Sequence, residues 1–158
     1  MILSKKSREA IDTWTAKFPE NHKQSALLAA LHIVQEENDG HLTEEIMEAV
    51  ADYLGIPAIA VFEVASFYMM YDLKPVGKHK LCVCTNIACQ LRGSDEIMAH
   101  IKKRLKVGVG GTTKDGLFTL KEFECLGACT GAPMMQVNKD YHENLTPAKV
   151  DAILEKLK

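Results

Sequence analysis

Five cysteines, Cys82, Cys84, Cys89, Cys125 and Cys129, fall in two short stretches of a 158-residue chain. Cys84-Thr85-Asn86-Ile87-Ala88-Cys89 is a C-x4-C pair, and Cys125-Leu126-Gly127-Ala128-Cys129 is a C-x3-C pair. Four convergent thiolates are the ligand set of an iron–sulfur cluster, and two loop pairs suit a [2Fe–2S] centre, where each iron takes two protein ligands. Tetrahedral zinc draws on the same thiolates at similar spacing, so spacing alone leaves zinc open. Ala88, Gly127, Ala128 and Gly131 are small, which lets backbone N–H groups approach sulfur. Hydrogen bonds of that kind, with burial and net charge, set a reduction potential. Pro133, Met134 and Met135 offer an apolar wall.

Other chemistries fit less well. A redox dithiol of the thioredoxin type needs C-x-x-C, and a Rieske centre needs two histidines; neither loop supplies them. Disulfides suit an oxidising compartment better than this chain, which opens without a secretory pattern. Cys82 shares a strand face with Cys84 and reads as a small buried hydrophobe. The run Gly108-Val109-Gly110-Gly111-Thr112-Thr113-Lys114 matches neither phosphate-binding glycine pattern and reads as a flexible connection. The six histidines are dispersed, and Glu122 and Glu124 have no catalytic partner in sight. Phe62, Phe67, Tyr68, Met69, Met70 and Tyr71 form a cluster that suits core packing and a partner surface equally.

The elements that must position these loops divide at Pro75-Val76-Gly77. Before it, helices are expected from Ser4 to Ala16, from Gln24 to Glu37 with Leu27, Leu28, Leu31 and Val34 on one face, and from an N-cap at Thr43 to a stop at Gly55. Pro57 opens a further helix through Val64. After it come a strand from Lys80 to Cys84, a helix capped by Ser94, and strands over 117–124 and 133–137. A short return near Tyr141 and a helix begun by Thr146-Pro147 close the chain. The class is α+β: an all-helical domain over residues 1–75, then a βαββα domain over 76–158.

Composition sets the outer limits. Apolar residues make 47% and charged residues 25%, with net charge -2, which points away from a nucleic-acid surface. The longest apolar run, Ile56 to Phe62, is far short of the ~20 residues a membrane span needs. The opening Met1-Ile2-Leu3-Ser4-Lys5-Lys6 runs from apolar to charged, the reverse of a signal peptide, so a cytosolic product is expected.

The run from Val83 through Cys84 and Cys89 to Gly93 resembles the first cluster loop of the E-subunit family of NADH–quinone oxidoreductase, respiratory complex I. Glu124 to Asn138, with Cys125 and Cys129, is similar to the second, and Tyr141 to Pro147 resembles the closing hairpin and helix start. Val64-Ala65-Ser66-Phe67-Tyr68 and Pro75-Val76-Gly77-Lys78-His79 are similar to further family signatures. Ser66 stands where threonine is usual, and Thr130-Gly131 where Val/Gly-Asn is common.

The resemblance implies a thioredoxin-like ferredoxin domain behind a helical domain, with one [2Fe–2S] cluster on Cys84, Cys89, Cys125 and Cys129. The helical domain, too short for a well-stabilised core of its own and carrying the aromatic cluster, is expected to be the partner-docking part. It also implies a cis Ala132–Pro133 bond. The implied role is an electron carrier reduced by FMN on a flavoprotein subunit that binds NADH. The chain itself then has no substrate site or catalytic residue, and joins the peripheral arm of a bacterial complex on the cytoplasmic side of the inner membrane. The equivalent subunit of an NAD-linked hydrogenase or formate dehydrogenase is the alternative; the Val64 to Tyr71 match favours complex I. A zinc-stapled interaction domain is the alternative from another class.

Overall fold

The computed structural model describes residues 2–158; Met1, where the apolar-to-charged opening begins, lies outside them. The chain divides between Pro75 and Val76 into two compact units.

In the first unit the caps do what their chemistry dictates. The Ser4 hydroxyl accepts from the Ser7 N–H at 3.0 Å and starts α1 (Lys5–Thr15). A 3-10 stretch (Glu20–Ala26), broken by a non-helical His22, leads into α2 (Leu27–Glu37). The helix therefore starts three residues after Gln24. Its buried face is Leu27, Ala30, Leu31, Val34 and Gln35, while Leu28, expected on that face, is 40% exposed. The Thr43 hydroxyl accepts from the Ile46 N–H to open α3 (Glu44–Leu54), which ends at Gly55 in the left-handed region, φ 67°. Pro57 occupies the N-cap of α4, which runs from Ala58 to Phe67, past Val64.

Gln35 is buried and bonded at both ends of its amide: its nitrogen donates to the Met70 carbonyl at 3.1 Å and its oxygen accepts from the Asp72 N–H at 2.7 Å. That tie fixes the chain after α4. The Tyr71 hydroxyl donates to the Leu28 carbonyl at 2.8 Å, and burial pushes its pKa up to about 12. The 62–71 cluster thus splits, with Tyr71 in the core and Phe67 78% exposed.

The second unit is a four-stranded sheet in the order β2-β1-β3-β4. Strand β1 (His79–Cys84) is followed by a short helix α5 (Ile87–Leu91) and a longer α6 (Ser94–Leu105). These cross over to β2 (Phe118–Phe123), which lies parallel to β1. Strands β3 (Met135–Val137) and β4 (Asp140–His142) form an antiparallel hairpin on the other side of β1, and α7 (Pro147–Lys156) follows. The return expected near Tyr141 is thus a strand in its own right. Leu81 and Val83 face a core that also holds Ile97, Ile101, Val150 and Leu154, so α6 and α7 cover that face. Each such side chain contributes about 1.5–3 kcal/mol on burial.

Two further expectations need correction. Ser94 does not cap α6: Gly93 holds the N-cap with φ 95°, and Ser94, the first helical residue, is fully buried with no partner for its hydroxyl among the described residues. The glycine-rich run is not a loose connection. Gly110 donates to the Leu120 carbonyl at 2.7 Å, Leu120 donates back to Gly111, and Thr113 donates to Phe118. The run pairs with the outer edge of β2 and removes an open edge from the sheet. No helix among the described residues is long and apolar enough to cross a membrane.

Candidate metal centre

Because β1 and β2 are parallel and in register from His79/Phe118 to Cys84/Phe123, the chain leaves both strands at the same end of the sheet. Cys84 is the last residue of β1, and Cys125 follows β2 by two residues. The topology therefore brings both cysteine loops to one end.

The first pair is set in regular structure. Side chains alternate along β1, so Cys84 faces away from Leu81 and Val83 and packs with Cys89, Ala132 and Met134. The Cys84 N–H donates to the Met134 carbonyl at 3.2 Å, and the thiol lies 3.9 Å from the Glu124 carbonyl it donates to. Asn86 then accepts from the Ile87 N–H at 2.9 Å and starts α5, a helix not expected from the sequence, with Cys89 on its inner face. Cys84 and Cys89 are 3% and 2% exposed. Burial pushes the Cys89 thiol up to about 11, and its hydrogen bond with Cys84 adds to this. The Met134 N–H donates to the Cys89 sulfur and pulls the other way. Charge on Cys89 is disfavoured until a metal ion replaces its proton.

The second pair is set in a turn. Cys125 and Cys129 are both exposed, and neither lies within a strand. Gly127 takes φ 75°, which turns the loop and lets its N–H donate to the Cys125 sulfur at 3.4 Å. A single 3-10 turn (Cys129–Gly131) and a cis Ala132–Pro133 bond, the isomer the family resemblance implies, lead into β3. The Asn144 N–H donates to the Gly131 carbonyl at 2.6 Å, and the Glu143 side chain packs directly against the Gly131 α-carbon.

The structure joins Cys84 with Cys89, and Cys129 is near enough for its charge to act on Cys89. Among the described residues Cys125 is in neither contact, and no three His, Cys, Asp or Glu side chains are grouped around one point as a single-ion site requires. Four thiols in two loops at one sheet end, two N–H groups aimed at sulfur and an apolar floor of Ala132 and Met134 fit an iron–sulfur cluster. Cys82, 2% exposed, lies deeper on the same strand face.

Two residues at the rim went unread in the sequence. The Arg92 guanidinium donates to the Thr130 and Ala132 carbonyls at 3.3 and 3.5 Å, and the Tyr141 hydroxyl donates to the Leu126 carbonyl at 2.7 Å. Both stand inside runs that look distinctive, yet spacing does not reveal a partner 38 residues away.

The profile of the thioredoxin-like [2Fe–2S] ferredoxin family matches residues 11–158. The NADH-quinone oxidoreductase E subunit of Rickettsia bellii is 46% identical over 156 residues, 99% of this chain and 93% of the relative. An NADH-quinone oxidoreductase E subunit of Rhizobium meliloti is 44% identical over 94% of this chain and 86% of the relative. Among solved structures, an air-oxidized NAD+-reducing [NiFe]-hydrogenase shares the fold with TM-score 0.70 and 22% identity, over 83% of this chain and 22% of that one.

Proposed function

The chain belongs to the thioredoxin-like [2Fe–2S] ferredoxin family, and on that premise we propose that it is the electron-carrier subunit of an NADH–quinone oxidoreductase. In this reading Cys84, Cys89, Cys125 and Cys129 hold one [2Fe–2S] cluster that takes an electron from reduced FMN on a partner flavoprotein subunit. The observation that carries it is the delivery of two cysteine pairs to one end of the sheet by the parallel β1 and β2. When bound, the cluster supplies one-electron chemistry at a potential set by its surroundings.

The rest falls to this chain. The four thiols give up their protons to bind iron. The Gly127 and Met134 N–H groups support sulfur charge, and Ala132 and Met134 keep water from the inner side. No nucleotide or flavin motif is present in the sequence, so NADH and FMN are assigned to the partner. The helical unit is assigned to docking, supported by Phe67, Tyr68 and Met69, which are 78%, 41% and 44% exposed. Association with the cytoplasmic face of the membrane then comes through the complex. The equivalent subunit of a hydrogenase or formate dehydrogenase would use the same centre. Near-full-length identity to NADH-quinone oxidoreductase subunits supports the first host.

The test is metal and sulfide counting on anaerobically purified protein, with absorption and EPR spectra before and after dithionite. Two irons, two sulfides and a spin-half signal on reduction are expected. A colourless chain with one zinc overturns the reading. Co-purification with a flavoprotein, weakened by Phe67→Asp, is the matching result for the host complex.

A further inference from the structure

The Cys125 to Cys129 loop has little of its own to hold it. Its two cysteines are exposed, while Leu126 and Ala128 are partly buried against Cys84, Cys89, Ala132 and Met134. It contains one short turn, and its internal backbone bonds are Gly131 to Ala128 and Ala132 to Cys129, at 3.1 and 3.3 Å. A segment with so few buried contacts opens easily unless something outside restrains it. Two side chains do so from opposite ends. Tyr141, on β4, reaches the carbonyl of Leu126, one residue after Cys125. Arg92, at the C-cap of α5, reaches the carbonyls of Thr130 and Ala132, just beyond Cys129.

Arg92 differs from Tyr141 in kind. It stands three residues after Cys89 and grips the backbone after Cys129, so it ties the two cysteine loops to each other. Both of its bonds leave one guanidinium nitrogen, Nη1, held at the end of a planar group whose hydrogens have fixed directions. It also brings a permanent positive charge to the rim of the site. Tyr141 brings none.

We propose that Arg92 and Tyr141 are positioning residues that hold the Cys125–Cys129 loop in register with Cys84 and Cys89, with Arg92 also raising the potential of the centre. The second part rests on the [2Fe–2S] reading; the first does not. Nearby positive charge favours the reduced, more negative form of a cluster, so neutralising Arg92 lowers the potential.

The experiment compares Arg92→Lys, Arg92→Gln and Tyr141→Phe with the parent chain, folding being checked by circular dichroism. With a chelator present, iron is expected to leave each variant about tenfold faster, the range for removing a ligand's support. The potential should fall in Arg92→Gln and hold in Arg92→Lys and Tyr141→Phe. A potential equal to the parent's in Arg92→Gln overturns the electrostatic part. Hydrogen exchange on metal-free protein reads the brace without any cluster: amides of residues 125–131 should exchange faster in Arg92→Gln and Tyr141→Phe. Unchanged exchange overturns the brace. A parent chain that binds no iron overturns the function reading and leaves the exchange result to decide the brace alone.

Discussion

Cys84 and Cys89 sit at a strand end and on a capped helix, each no more than 3% exposed, whereas Cys125 and Cys129 are exposed and sit in a turn. The same residue type is therefore held in two ways. The first pair is placed by burial and local secondary structure. The second is placed by contacts from elsewhere: Arg92, Tyr141, Glu143 and the Asn144 N–H all reach it from outside the loop. The division has a chemical logic. In the proposed centre the buried half would give a fixed seat, while the exposed half would leave one side open to solvent and to a partner.

Removing cysteines one at a time has the largest effect and sharpens the contrast. Cys89→Ala and Cys125→Ala each delete a thiol of the proposed set, and bound iron should fall steeply in both, by metal analysis. The metal-free chains should then diverge. Cys89→Ala empties a buried position beside Cys84, Ala132 and Met134 and should cost about 1–2 kcal/mol in denaturant unfolding. Cys125→Ala changes an exposed side chain and should stay within about 0.5 kcal/mol. Equal costs would mean that both pairs are equally part of the packed unit.

Next in size is the back wall of the second loop. A Cβ on Gly131 runs into the Glu143 side chain, Cβ included, so shortening the glutamate to alanine gives no full relief. Gly131→Ala should destabilise the chain by about 1–3 kcal/mol through overpacking. Glu143→Gly clears the space, so the double variant should recover most of that loss in a double-mutant cycle. An additive pair would mean that the loop has shifted away from Glu143 and is not held by it.

What the sequence revealed follows the range of the forces involved. Thr43 and Gly55 were legible because a cap acts on its own helix within a few residues. So was the end of the sheet to which the cysteines go, since each loop follows a strand. Gln35 was not, because its two partners lie 35 and 37 residues on. The edge pairing of Gly110 to Thr113 was hidden by glycines, whose freedom suits a hairpin as well as a flexible link. Ser94 has the residue type of a cap but the position of a core residue. At the centre, spacing named four cysteines and said nothing of which two are buried, since that depends on α5 and the β3–β4 hairpin packing around β1.

The smallest effect tests whether the first pair is local. Asn86 is exposed and its role in the fold is to accept from the Ile87 N–H at the start of α5. A helix this short cannot hold itself in water, so its cap matters more than its length would suggest. Asn86→Ala should cost about 1 kcal/mol, and Asn86→Asp, which keeps the acceptor, should cost less. Hydrogen exchange should quicken at residues 87–91 and stay unchanged at 125–131. That pattern would show that the helix around Cys89 depends on its own cap while the second loop depends on its braces. If both segments quicken together, the two loops open as one unit. Arg92, which joins the end of α5 to the Thr130 and Ala132 carbonyls, is then the link through which loosening one loosens the other.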